Sequence, residues 1–178
     1  KVFHLVLGFL LNVFAFFIMI IPNSWATFQA SPVVIAEGSD IARAWAATWN
    51  PTWWPVNIHR LIANVVLGGY ICGAYAGIRY LSARTPEERE HYDWMGYIAM
   101  ALGVAFLIPL PFAGYWLMRE VYAYRQQMGI TLMGGLLAWL FIIQATMIGI
   151  LFLSTNYYLW QAMGRMRGAE KYQRYIKY

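Results

Sequence analysis

The sequence predicts an all-α integral membrane bundle of four transmembrane helices. Three observations carry that prediction: 61% of the 178 residues are hydrophobic and only 12% charged, the mean hydropathy is +0.48, and four mostly apolar stretches reach the roughly 20 residues that a membrane crossing needs. A soluble surface requires roughly a quarter of its residues charged, whereas a lipid-facing surface requires almost none. Helices satisfy their own backbone groups in lipid, and the many short alternating segments of a membrane barrel are missing from this sequence.

Taken in order, the first span covers about residues 3–21 and is expected to stop at Pro22-Asn23-Ser24. Lys1-Val2-Phe3-His4 runs into it at once, without the polar leader or small-residue cleavage site of a signal peptide, so it reads as a span. One membrane domain over 1–178, part of a longer chain or complex, is expected. The connection from Pro22 to Pro55 holds Trp25, Trp45, Trp49, Trp53 and Trp54, and tryptophan favours the headgroup layer. Within it, Ser39 or Asp40 should cap a short amphipathic helix running to Trp49. The second span covers about 56–81. Thr85-Pro86-Glu87-Glu88 is a helix start, with Thr85 as cap, Pro86 at the first position and acids in the first turn. The third span covers about 94–118 and should kink or end at Pro109 and Pro111. The fourth, about 128–159, is long enough to project past the bilayer.

Charge sets the expected orientation. Of thirteen Lys and Arg residues, only Arg43, Arg60, Arg119 and Arg125 fall at one set of span ends. The rest, Lys1, Arg79, Arg84, Arg89, Arg165, Arg167, Lys171, Arg174 and Lys177, share the other, which the positive-inside rule makes cytoplasmic together with both termini. Five of them crowd into the last fourteen positions, so the net charge of +5 reads as a juxtamembrane tail and not as a nucleic-acid surface. Cys72 is the only cysteine and can form no internal disulfide.

Among the polar residues that a membrane makes costly, His59 stands out. It sits one turn into the second span, between Ile58 and Arg60. Neutral imidazole is the usual nitrogen ligand of haem iron, and the alternative is an interfacial histidine bonded to water or headgroups. His4 and His91 enter from the opposite side, and no span carries two histidines about four turns apart. Methionine is the other common axial ligand. Met133, about two turns into the fourth span from the same face, matches His59 in depth, with Met128 as second choice and simple packing as the alternative. Gly69, Gly73 and Gly77 form a small-residue stripe suited to helix packing or to a flat macrocycle, and Gly134-Gly135 does the same beside Met133. The segment Arg119-Glu120-Val121-Tyr122-Ala123-Tyr124-Arg125 has the composition of a quinone-headgroup site or of a solvated turn. No phosphate-binding glycine loop, Cys-x-x-Cys pair or HExxH motif occurs.

Lys1-Val2-x-His4 leading into an apolar helix, Asn23-x-Trp25 at its end, Asn50-Pro51 shortly before His59, and the pair Gly114-Tyr115 together resemble subunit I of cytochrome bd-type quinol oxidases, over roughly the first 120 residues. The resemblance implies that His59 is an axial ligand of a low-spin haem b and that Met133 holds the second axial position. It also implies electron exchange with quinol on the outer side, for which Arg119, Glu120 and Arg125 would be a reduced binding segment. The sequence departs from the family in its shortened quinol loop and in Thr131, where an arginine is usual. It also lacks the earlier helices that carry the high-spin haem ligand and the proton-path glutamates. The expected function is a haem b-binding redox subunit, a quinol oxidoreductase component of a respiratory complex in the bacterial inner membrane. Its expected partners are quinol, other membrane subunits and the lipid bilayer. The competing expectation is a non-catalytic structural anchor that keeps the helices.

Overall fold

The computed structural model describes residues 2–35 and 37–165. Lys1 and the basic residues Arg167, Lys171, Arg174 and Lys177 of the expected tail lie outside the described residues. Among the described residues the protein is all α: α1 (Val2–Ala30), α2 (Asp40–Thr48), α3 (Trp53–Ser82), α4 (Pro86–Leu107), α5 (Leu110–Tyr124), α6 (Gln126–Met133) and α7 (Ala138–Arg165). Four helical stretches, Val2–Ala30, Trp53–Ser82, Pro86–Tyr124 and Ala138–Arg165, are long and apolar enough to cross a membrane, as in a multi-pass membrane protein.

The local sequence explains most boundaries. Ser39 caps α2 by accepting from the Ala42 amide at 3.4 Å. Thr85 caps α4 by accepting from the Glu88 amide at 3.2 Å, and the Glu88 carboxylate accepts from the Arg84 amide at 3.0 Å, so two amides at the helix start are satisfied by neighbouring side chains. The third span divides at Ile108 and Pro109 into α4 and α5, where proline removes backbone donors.

Two boundaries differ from expectation. Helix α1 does not stop before Pro22 but continues to Ala30. The continuation presents Asn23, Thr27 and Ser31, all buried, at successive intervals of four, and tertiary hydrogen bonds along that face outweigh the one helical bond that proline removes. The expected fourth span, 128–159, is likewise two helices, with the membrane-length one starting at Ala138. Gly135 explains the break: a Cβ there would fall 2.9 Å from the Thr131 Cα and 3.1 Å from the Ile130 carbonyl. The chain folds back tightly on α6, and the Leu137 amide donates to the Thr131 carbonyl at 3.1 Å. That local turn accounts for Gly135 without a macrocycle.

The protein packs as two compact units, one of residues up to 61 with 112–138, the other of 62–111 with the described part of 139–178. In the first, α1 buries polar residues, while its apolar residues, Phe3, Phe9 and Phe14 among them, stay exposed. In the second, α3 and α4 meet at glycines. A Cβ on Gly69 would fall 2.8 Å from the Ala99 carbonyl and 2.9 Å from the Gly103 Cα, so the backbones approach as closely as backbones can. The hydroxyl of Thr155 donates to the Tyr70 hydroxyl at 3.0 Å, tying α7 to α3. The stripe thus acts at Gly69 as a packing surface, whereas Gly77 has nothing within 4 Å of a Cβ.

Candidate functional site

The first unit is built around a buried polar cluster. Asn50, in the turn before α3, is 1% exposed, and its amide nitrogen donates to the carbonyls of Ala47 and Thr48 at 3.1 and 3.2 Å. These carbonyls lie at the end of α2, which otherwise lacks partners for them. The same nitrogen lies 2.9 Å from the Thr27 hydroxyl, and the amide oxygen accepts from Ser31 and Thr52 at 3.2 and 3.1 Å. Ser31 and Thr52 share a 2.7 Å hydrogen bond, and the Thr27 carbonyl, 3.0 Å from the Thr52 hydroxyl, is an alternative acceptor for its one proton. The α1 continuation, the end of α2 and the start of α3 are thereby locked together.

Nearly two turns into α3 comes His59. Asn57 and Arg60 are three positions apart and share one face of the helix. The Asn23 amide donates to the Asn57 side-chain oxygen at 2.8 Å, and Arg60 donates to the Asn23 side-chain oxygen. Asn57 also donates to the Trp53 carbonyl at 2.8 Å. His59 points elsewhere, toward α5, where Gly114 receives it. A Cβ at Gly114 would lie 3.3 Å from His59 Cε1 and 3.6 Å from Nδ1, so only a glycine leaves the imidazole its full room. The ring is half-buried. With Asn23 holding the neighbouring Asn57 and Arg60, and its own ring lodged against Gly114, His59 occupies a defined position.

The other sequence-predicted residues are placed as follows. Met133 does not lie two turns into the fourth span; it is the last residue of α6, half-buried, in the same compact unit as His59. A continuous helix over 128–159 would put Met133 at that depth, but the Gly134-Gly135 turn interrupts it. Met128, in the first turn of α6, is exposed. Arg119 and Glu120 belong to the last turns of α5 and not to a loop, and they pair with each other at 2.6 Å. Arg125 follows α5, and its guanidinium donates to the Gln29 carbonyl at 2.7 Å, near the end of α1. A cation at a helix C-terminus satisfies an orphan carbonyl and suits the helix dipole. The three residues expected to bind quinol are therefore divided between a local ion pair and a helix cap.

Sequence reasoning missed the polar cluster. The spacing of Asn23, Thr27 and Ser31 was the available signal, and the proline before them obscured it. The tryptophans also divide. Trp25, Trp45, Trp49 and Trp54 are exposed, as interfacial residues would be, but Trp53 is 7% exposed and donates to the Ser24 hydroxyl at 3.0 Å, so it belongs to the core. Its ring packs against both Trp49 and Trp54, with centroids 4.7 and 4.8 Å away, and those two rings are 5.8 Å from each other.

Among the described residues, no three His, Cys, Asp or Glu side chains gather as a metal centre would require. A haem iron, whose in-plane ligands come from the macrocycle, asks the protein for only one or two. His59 fits one such position: its imidazole is partly accessible, fixed by its helix and cradled by Gly114. Compared with protein-family models, with curated proteins and with solved structures, the chain finds no match.

Proposed function

We propose that this chain is a haem b-binding redox subunit that exchanges electrons with quinol in a respiratory complex of the bacterial inner membrane. The observation that carries the reading is His59, an imidazole near the start of a membrane-length helix, lodged against Gly114. An intramembrane ionisable residue is a functional candidate by default, and imidazole is the commonest haem ligand. In this reading His59 and Met133 would hold the haem iron from the protein side, and both belong to the same compact unit. When bound, the haem supplies one-electron chemistry, and thioether ligation raises its potential relative to a second imidazole. Asn57, Arg60 and Asn23 fix the helix turn that presents His59, while Gly114 sets the room around its ring. Arg119, Glu120 and Arg125 remain the proposed quinol-facing group, with Glu120 the less exposed partner of its ion pair. The basic second connection and tail would face the cytoplasm with both termini.

His59→Ala tests the proposal. It should abolish one low-spin haem b band in the optical spectrum of the purified complex while the subunit stays in the membrane, and unchanged haem per protein would defeat it. Met133→His should lower the midpoint potential; if it does not, Met133 is not the second ligand. The structural-anchor reading keeps one specific support: none of the most apolar part of α1 is buried within this chain, which leaves that face for lipid or another subunit. Under that reading His59→Ala leaves the complex assembled and its haem spectrum unaltered.

A further inference from the structure

The second unit holds a cleft that the redox reading does not use. It measures about 390 Å3, within the size range of small-ligand sites, and lies among the end of α3, the start of α4 and the end of α7. Its floor is apolar and narrow-sided, with Gly73 and Gly77 on α3 and Met100 on α4. Its polar end is formed by Asp93, Tyr158 and Arg165. Arg165 donates to Asp93 Oδ1 at 3.1 Å, and the Tyr158 hydroxyl lies 3.4 Å from the same oxygen. Gly96 makes this possible: a Cβ there would fall 3.1 Å from the Tyr158 hydroxyl.

Both bonds go to one carboxylate oxygen. Asp93 Oδ2 is engaged by no described residue, and Arg165 uses only one of its guanidinium nitrogens on Asp93. The two side chains are 31% and 51% exposed, so a ligand can reach them. Among the described residues, the polar end therefore offers an unengaged anionic acceptor beside further guanidinium donors, with the Asp93 and Arg165 charges balanced. Tyr80 and Tyr92 complete the wall, and the Tyr92 ring carries the Arg79 guanidinium, 5.3 Å from its centroid.

We propose that this cleft binds a phospholipid with a zwitterionic headgroup bearing a primary ammonium, as in phosphatidylethanolamine. Its ammonium donates to Asp93, its phosphate accepts from Arg165, and an acyl chain lies along Gly77 and the Met100 side chain that covers Gly73. A purely anionic headgroup accepts from Arg165 but brings no donor for Asp93 Oδ2. A quaternary ammonium has no N–H to donate to Oδ2. The site thus selects the primary ammonium over both. The inference needs only that the helices lie in a bilayer and is independent of haem.

The test is native mass spectrometry of the purified complex from vesicles holding equal parts of phosphatidylethanolamine, phosphatidylcholine and phosphatidylglycerol with identical acyl chains. The wild type should retain one phosphatidylethanolamine, preferred about tenfold over each of the others, the worth of one charge-assisted hydrogen bond. Asp93→Asn should reduce that preference to near unity, since the amide keeps the contacts to Arg165 and Tyr158 but loses the charge. Gly77→Leu, at a position with nothing within 4 Å of a Cβ, should fill the cleft and lower retention of all three lipids. Equal retention of the three lipids by the wild type, or an undiminished preference in Asp93→Asn, overturns the proposal. Preference for phosphatidylglycerol overturns it in favour of a simple cationic site. If Asp93→Asn does not fold, unchanged lipid retention in Gly77→Leu overturns it alone.

Discussion

Replacing Asn50 by alanine should destabilise the first unit by about 2–3 kcal/mol. The figure follows from what the change strands. The hydroxyls of Thr27, Ser31 and Thr52 lose a contact to Asn50, but each keeps another: Thr27 to the Asn23 carbonyl at 2.7 Å, Ser31 and Thr52 to each other at 2.7 Å. They re-pair at little cost. The half-buried carbonyls of Ala47 and Thr48 lose the amide that ends α2, and a stranded polar group costs roughly 1–3 kcal/mol when fully buried and less here. Two such groups, partly relieved by water at the helix end, give the stated range. With roughly 2–4 °C per kcal/mol for a chain of this size, the melting temperature in detergent should fall by about 5–10 °C. Circular dichroism during heating measures it. The control is Asn12→Leu, because Asn12 is exposed and donates only to the Gly8 carbonyl of its own helix at 2.8 Å. Equal melting temperatures for the two variants would refute the claim that Asn50 organises the cluster.

Gly69→Ala should destabilise by about 1–3 kcal/mol as its methyl meets the α4 backbone, whereas Gly77→Ala should be neutral or slightly stabilising. Thermal melting of the pair separates them, and the reverse order would mean that α3 and α4 do not touch at Gly69. Gly114→Ala asks the His59 ring to yield by a few tenths of an ångström, so under the proposed haem ligation haem should be retained with a shifted midpoint potential, while Gly114→Val should lower haem content severalfold. Redox titration with pyridine-haemochrome quantification reads both, and identical values in both variants would detach His59 from the haem. Cysteines placed at Ser39 and Ser82 in a Cys72→Ala background should react with an impermeant thiol reagent from opposite faces of intact cells, because α3 separates them. Labelling from one face would contradict a membrane-crossing α3.

Apolar runs and start signals made the helices legible before the structure. Ser39 and Thr85 cap where their sequence context indicates, and Pro109 divides the third span, because caps and prolines act within a turn of their own position. The failures share a cause. Pro22 read as a stop and 128–159 as one helix, since local rules weigh a single proline or glycine pair without the tertiary contacts around it. Asn23 answers Asn57 from 34 positions away, and Arg125 reaches Gln29 from 96 away, distances at which no spacing rule operates. His59 was conspicuous because the membrane makes it costly, whereas Gly114, which receives it, had no signal of its own beyond the resemblance.

The polar character of the packing on α1 follows from the solvent. In water, a helix as apolar as residues 3–21 would be driven into a core, but lipid chains are as apolar as leucine and give no such drive. Helices in lipid associate instead through close backbone approach and through polar groups that find no better partner in the bilayer. Both devices are used here, in different units: Gly69 against Gly103 in one, and Asn23, Thr27 and Ser31 against Asn50, Thr52 and Asn57 in the other. The second is directional, because amides and hydroxyls accept only a few geometries. A helix start held this way has its rotation set, and with the rotation of α3 comes the direction of His59. The polar residues of α1 thus do for His59 what apolar packing in a bilayer cannot, which is to fix the angle at which one imidazole meets α5.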